Sequence, residues 1–439
     1  MAYPEKRPGG WTVRVKVGVN PDTGKDIYRR ISKDPDTGKL FPTKNAAKTY
    51  GQDLEAEMRA GTWVDPRRGE TTWDQWWDAW ITSQDIDDGT VAFYTSLYTN
   101  HIGPRWGSTT LGETRGIDVT TWLKDLRDGA VETGPPGKRR KRKYAPRTPE
   151  GIRKQMLLML TDAVAEGMLV RNVLQIEAKS RMRGRRTNRV RPQTRPKLHV
   201  EPGDVVAIAV QMHHIVGPVG FVRTMLAGWT GLRPGEQAAI ERANCKCAER
   251  KPRIVVDEDK GAIREYAKGP VEFGPPKGGL GREVLASPSL ALLLDDWLIS
   301  HPGQTYLIPG INGPVWRRRE WNERWRIGCD GKHELKRVGR RFEMLETWEY
   351  PPIITDLEFK GLRRAHNIWL TEDGVPEVVR AHRLGHAMSD EMQSAYSLVS
   401  AAMEKALLEA LERRWNEAMT PEAWEIISQI SPRLAKKRF

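Results

Sequence analysis

The chain has 439 residues, with 71 Lys and Arg against 57 acids, and a net charge of +14. Its 38% hydrophobic content and 17 Trp exclude a disordered chain, and at roughly 100–200 residues per domain its length makes two to four domains. No run approaches the ~18–20 apolar residues of a membrane span, and the opening MAYPEKRPGGW has no apolar core of a signal peptide, so a soluble protein of the cytoplasm is expected.

The basic excess makes nucleic acid the first candidate partner. Of three cysteines, Cys245 and Cys247 are too close for the usual zinc pair and Cys329 stands alone. Neither a disulfide framework nor a metal site is expected, which fits a reducing compartment.

In chain order, Trp11, Val13, Val15, Val17 and Val19 alternate with polar residues or glycine, the period of a half-buried strand. Pro-Asp-Thr-Gly-Lys occurs twice, at 21–25 and 35–39, each time as turn chemistry between strand-like pieces. A three-stranded meander follows. Thr43 is a candidate N-cap for a helix with Ala47, Tyr50, Leu54 and Met58 on one face, ended by Gly61. So small a sheet-plus-helix unit suits binding better than catalysis.

Residues 62–71 read as a linker. Trp73, Trp76, Trp77 and Trp80 then fall at i, i+3, i+4 and i+7, a helical stripe whose plain meaning is core packing. Further helices are expected at about 90–101, 117–127 and 148–166, the last with Thr148-Pro149 as cap and first-turn proline.

Two basic segments interrupt this region. Residues 138–143 are KRRKRK, whose ordinary meanings are a solvated loop or a nuclear address. Residues 179–197 hold nine Lys or Arg and no acid, a segment suited to neutralising phosphates along a DNA strand.

A mixed region runs from about 198 to 418. Helices are expected at 202–212, 216–229, 288–299, 361–371, 376–384 and 401–416, and strands near 252–256, 262–266 and 282–286. The tail from 420 reads as short and basic at its end.

Within this region lies a set of groups suited to phosphodiester chemistry without a metal. Fixed cations must there meet the charge that gathers on the equatorial oxygens, and the arginine fork grips two oxygens at once. A nucleophile and an acid for the leaving oxygen complete the need. Thr230-Gly-Leu-Arg233-Pro-Gly-Glu236 is a tight turn at a helix start, presenting Arg233 with Glu236 near enough to orient it. Lys277 stands in a Gly-rich hairpin tip before a strand. Lys360-Gly-Leu-Arg363-Arg-Ala-His366 places Lys360 and Arg363 three apart, on one helical face. His382-Arg-Leu-Gly-His386 follows, with Tyr396 ten residues on.

In this order and spacing the chain resembles the tyrosine recombinases, most closely the integrases of actinobacterial phages and integrative plasmids. The resemblance implies a multidomain α+β protein in three parts. The first is an arm-type DNA-binding domain over 1–61, a small three-stranded sheet plus helix. The second is an all-α core-binding domain over 72–180. After a basic interdomain linker, 181–197, comes a mixed, mainly α catalytic domain with a small antiparallel sheet over 198–420, then a tail, 421–439.

The implied roles are these: Arg233 and Arg363 clamp the scissile phosphate, and Lys277 protonates the leaving 5′ hydroxyl. Lys360 serves as a proton acceptor and hydrogen-bond partner, His386 hydrogen-bonds the phosphate, and Tyr396 attacks to leave a 3′-phosphotyrosine. The implied partners are double-stranded DNA bearing attachment sites, a homotetramer on that DNA, and an excisionase or host DNA-bending protein. No cofactor, metal or ATP is implied. The helix after Tyr396 corresponds to a segment that docks on a neighbouring protomer in the family. Three positions depart from the usual pattern: Lys360 stands where His is common, Arg364 follows Arg363 where His is frequent, and Tyr396 lies one residue later than usual. The rivals are a non-catalytic DNA-binding protein on the same scaffold, a type IB topoisomerase, and a metal-dependent nuclease. The last needs a carboxylate cluster, and none stands beside these motifs.

Overall fold

The computed structural model describes residues 2–19, 23–34, 37–59, 66–134, 137–175, 198–265, 270–338, 343–386 and 399–438. The expected basic linker, the Gly61 helix stop and Tyr396 lie outside the described residues. The chain divides into two compact units, Met1–Thr194 and Arg195–Phe439.

The first unit holds two separate cores. Strands β1 (Tyr3–Arg7), β2 (Gly10–Val19) and β3 (Asp26–Ile31) form an antiparallel sheet in that order. The alternation along β2 sends Val13 and Val15 inward against Ala47 of helix α1 (Lys44–Arg59). Thr43 accepts the Ala46 N–H at 3.1 Å, as a cap should. The meander differs from expectation in one strand. The piece after the second turn contributes only an isolated bridge, Trp11 to Phe41, and the third strand comes from Tyr3–Arg7.

The second core is helical. Thr72 and Gln75 form a capping box at the start of α2 (Trp73–Ser83). Trp73, Trp76, Trp77 and Trp80 are all buried, packed with α3 (Asp88–Leu97), α4 (Gly116–Asp128) and α5 (Arg147–Ala165). The indole N–H of Trp76 donates to the Met159 carbonyl at 3.0 Å, and that of Trp80 to Asp162 at 2.6 Å. Buried tryptophans of this kind carry both apolar area and a satisfied polar handle. Three expectations are corrected here. Helix α5 starts at Arg147 behind Pro146, so Thr148 is not its cap. The second half of the expected linker belongs to this module, since Gly112 and Leu111 donate to the carbonyls of Gly69 and Thr71 at 2.9 Å. The KRRKRK run is not a featureless loop either: Arg140–Lys141 (β5) pairs antiparallel with Glu132–Thr133 (β4).

The second unit is built on one large core. Helices α6 (Pro202–Val216), α7 (Pro218–Thr230) and the short α8 (Pro234–Ala239) lead into a small antiparallel sheet. The strands are β6 (Cys245–Lys246), β7 (Arg253–Val256), β8 (Ala262–Glu265), β9 (Val271–Gly274) and β10 (Arg282–Leu285). They pair as β10-β7-β6 and β8-β9. Helices α9 (Pro288–Ser300) and α10 (Arg318–Asp330) and a hairpin of β11 (Lys332–Val338) and β12 (Glu343–Tyr350) follow. Of these, α10, β6, β9, β11 and β12 were not expected. The chain then runs through α11 (Gly361–Glu372), α12 (Glu377–Leu384), α13 (Ala401–Ala418) and α14 (Pro421–Ile430).

Trp229 of α7 sits at the centre of this core, its ring 5.6 Å from Trp369 of α11 and 5.1 Å from Trp415 of α13. Its N–H donates to the Leu411 carbonyl at 3.1 Å. Helix α13 buries Leu407, Leu411 and Trp415 in the same core. The tail continues this packing: α14 buries Ile426, Ile427 and Ile430 in the same core, and Ser431 and Arg433 bond Asp296 of α9.

Candidate active site

The site grows from the end of α7. Gly231 terminates the helix with φ +66, a left-handed conformation that a Cβ would strain, and the His366 ring and Leu384 crowd the place where a Cβ would sit. The turn delivers Arg233 to the N-cap of α8, with Pro234 at its first turn. Glu236 reaches back, accepting the Arg233 backbone N–H at 2.8 Å and its guanidinium at 2.7 Å.

Glu236 is only 1% exposed, and one arginine does not satisfy its four lone-pair sites. The second comes from the start of β10, where Arg282 donates to both carboxylate oxygens at 3.1 and 2.7 Å. Burial pushes the Glu236 pKa up, but the bonds and charge of Arg282, with those of Arg233, outweigh it and hold the group below the ordinary carboxylate value. Glu236 is therefore ionised at neutral pH, a buried anion between two cations. Arg282 also donates to the Arg383 carbonyl at 3.0 Å, tying this turn to α12.

Arg363, in the first turn of α11, donates to the Gly231 carbonyl at 2.9 Å, to the Leu384 carbonyl, and to Nε2 of His386 at 2.9 Å. Arg233 reaches the adjoining Gly385 carbonyl at 3.4 Å. Both guanidinium groups thus converge on the Leu384-Gly-His386 turn, where Gly385 ends α12 with φ +62. Burial, then the charge of Arg233, pushes the Arg363 pKa down to about 10, which leaves it cationic at neutral pH. His386 is depressed by burial and then by Arg363 and Arg233. Because Arg363 can only donate, Nε2 of His386 is the acceptor and the proton sits on Nδ1.

Behind these groups lies a layer to which the sequence reading gave no role. His366 is fully buried; its Nδ1 donates to the Gly228 carbonyl at 2.8 Å, and Arg383 donates to its Nε2 at 2.9 Å. Arg383 also donates to the carbonyls of Leu285 and Trp229, both at 2.8 Å. Burial pushes the Arg383 pKa down to about 9, and that of His366 well below its ordinary value, with Arg383 adding to the effect. This neutral imidazole and buried cation join α7, α11, α12 and β10. Both residues stood within the quoted motifs, three after Arg363 and three before His386. Arg282 carried no signal beyond its place at the head of a strand.

The remaining sequence-identified residues are placed less centrally. Lys277 stands exposed on the turn between β9 and β10, where Gly278 and Gly279 take positive φ, and five residues on is Arg282. Lys360 sits at the N-cap of α11 rather than inside the helix, and its exposed ammonium lies 2.8 Å from Glu358. Arg364 is exposed. The structure therefore brings Arg233, Arg363 and His386 together and leaves Lys277 and Lys360 on the surface.

A turn-held pair of arginines with a histidine, backed by a buried carboxylate, is an oxyanion-binding arrangement on a mainly helical scaffold. The scaffold is shared with known proteins. The Tn1549 transposon integrase in complex with transposon right end DNA superposes with a TM-score of 0.55 at 13% identity, over 78% of this chain and 100% of that one. The same integrase in complex with a circular intermediate DNA gives 0.54 at 12% identity, over 77% and 99%. No protein-family model matches the chain, and no curated relative matches it. The chain thus has the fold of a tyrosine recombinase, as its motifs suggested. No helix among the described residues is long and apolar enough to cross a membrane.

Proposed function

We propose that the protein is a site-specific DNA strand transferase, an integrase that cuts and rejoins duplex DNA at attachment sites through a 3′-phosphotyrosine. The observation that carries this is the convergence of Arg233 and Arg363 on the His386 turn, Arg233 held by Glu236 and the Gly385 carbonyl, Arg363 by the Gly231 carbonyl and His386.

In this scheme the two guanidinium groups take the nonbridging oxygens of the scissile phosphate, and the charge gathering there meets fixed cations that need no reorganisation. Neutral His386 donates to the same phosphate. The Tyr396 hydroxyl attacks phosphorus and gives up its proton to water, with Lys360 as its hydrogen-bond partner, as the bond to the 5′ oxygen breaks. Lys277 gives its proton to that 5′ oxygen. Its exposed position on a Gly-rich turn suits a residue that closes over DNA. A 5′ hydroxyl from a second strand then reverses the attack, so the phosphotyrosine conserves the bond energy and neither ATP nor metal takes part. Recombination of two duplexes calls for four such subunits, hence a tetramer on DNA, with an excisionase or bending protein setting direction. Action in the cytoplasm, on the host nucleoid, completes the proposal.

The test is covalent trapping. Protein is mixed in EDTA with a nicked duplex carrying its own attachment site, sought beside its gene, and run on a denaturing gel beside Tyr396→Phe. A shifted band in the wild type alone supports both the chemistry and the nucleophile. A band that survives Tyr396→Phe removes Tyr396. No band despite intact binding favours a DNA-binding protein on this scaffold, and relaxation of any supercoiled plasmid favours a topoisomerase.

A further inference from the structure

The six cations Lys138, Arg139, Arg140, Lys141, Arg142 and Lys143 take no part in the site above, and all are exposed. Arg140 and Lys141 form β5 and pair with β4 in register Glu132 to Lys141 and Thr133 to Arg140, with the other four flanking them. Adjacent strand residues stand ~3.3 Å apart, well inside the ~8 Å screening length of physiological salt, so the six repel one another. A flexible loop would relieve that by spreading. This segment is instead pinned at its root.

Gly134 donates to the Asn100 carbonyl at 2.9 Å, and the hydroxyls of Thr133 and Tyr144 bond at 2.7 Å. The Tyr144 ring stands edge-on to buried His101, 5.1 Å between centroids. Arg139 donates to the Pro104 carbonyl at 3.4 Å, and the Arg142 guanidinium lies 5.4 Å from the Tyr144 ring. These contacts orient the arm yet neutralise none of its charge. Among the described residues no carboxylate forms an ion pair with the six, not even Glu132 opposite Lys141.

We propose that this hairpin is a second, sequence-independent DNA contact, a clamp on the phosphate backbone of duplex DNA. A pre-ordered ribbon of uncompensated cations suits a polyanion, because the ordering cost is already met in the free protein and each neutralised phosphate releases counterions. Strand alternation points Arg140 and Lys141 to opposite faces of the ribbon, so either face presents a cation to a phosphate. The inference rests on the reading of the chain as a DNA strand transferase, and it assigns the run to DNA rather than to nuclear transport.

The test uses the full chain and a labelled duplex of random sequence, with affinity measured from 50 to 300 mM KCl. The variant replaces Lys138, Arg140, Lys141 and Lys143 by Gln and keeps Arg139 and Arg142, which hold the hairpin. At roughly 0.9 in slope per phosphate, the slope of log affinity against log salt should fall by about 2–4, with at least tenfold weaker binding at 100 mM. A companion with Lys138, Lys141 and Lys143 replaced by Arg keeps the charge and should keep the slope; loss of slope there as well overturns the proposal. If the wild type binds steeply and the Gln variant, folded by circular dichroism, matches it, the clamp is refuted while the strand-transfer reading stands. If the wild type binds no duplex at all, both fall together.

Discussion

Glu236→Gln tests the organisation of the site most sharply. The carboxylate is 1% exposed and accepts four hydrogen bonds, two from Arg233 and two from Arg282. Glutamine keeps the shape but loses the charge, and its amide turns an N–H₂ toward a guanidinium that can only donate. One side-chain bond pair becomes a donor–donor clash, and Arg282, 6% exposed in its side chain, is left buried without a counter-charge. Breaking a buried pair in this way costs about 3–5 kcal/mol. In a unit of roughly 250 residues, 1 kcal/mol moves the melting temperature by about 2–4 °C, so a fall on the order of 10 °C is expected by calorimetry. Covalent trapping should drop by more than a hundredfold even below the melting range, because Arg233 loses its fixed direction. A double variant, Glu236→Leu with Arg282→Met, should melt above Glu236→Gln, since removing Glu236 together with its most buried partner no longer strands the Arg282 charge. A Glu236→Gln protein that melts within 2 °C of the wild type would refute the idea that this carboxylate organises the site.

Lys277→Ala should slow cleavage of ordinary DNA by 10²–10⁴-fold, the usual range for a general acid, and be rescued by a 5′-bridging sulfur that leaves without a proton; no rescue would make Lys277 a positioning group only. Stability should fall on acidification below pH ~6.5. His366 is held neutral in the fold with its pKa depressed, so the unfolded chain binds the extra proton first. That one group removes about 1.4 kcal/mol for each pH unit below its unfolded pKa, and urea denaturation at pH 7.5 and 5.5 giving equal stability would contradict the assignment. Arg383→Met should destabilise by about 3 kcal/mol or more by stranding the acceptors on His366, Leu285 and Trp229, seen as a lowered urea midpoint; a loss under 1 kcal/mol would show that the buried cation is dispensable.

Much of this protein is written in short-range pattern. The tryptophan spacing at 73–80 fixes a helix and its buried face, because a 3.6-residue period leaves one stripe to cover. The Thr-Gly-Leu-Arg-Pro-Gly-Glu turn carries its own capping chemistry, so the Arg233–Glu236 pair was readable from seven residues. The motif order also carried the resemblance that the fold supports.

What the sequence did not decide is what depends on long-range pairing. Arg282 meets Glu236 across 46 positions and the Arg383 carbonyl across 101, and no period or turn rule selects one arginine among many for such a contact. His366 and Arg383 sat inside quoted motifs, yet their burial became visible only when α7, α11, α12 and β10 closed around them. The tail reads as basic at its end, and only the tertiary structure shows that Ile426, Ile427 and Ile430 of α14 pack into the same core. Composition and local spacing determine which segments can form and which chemistry is present. Only the packing of distant segments determines which charges are buried together, because burial is a property of neighbours that the chain supplies from far away.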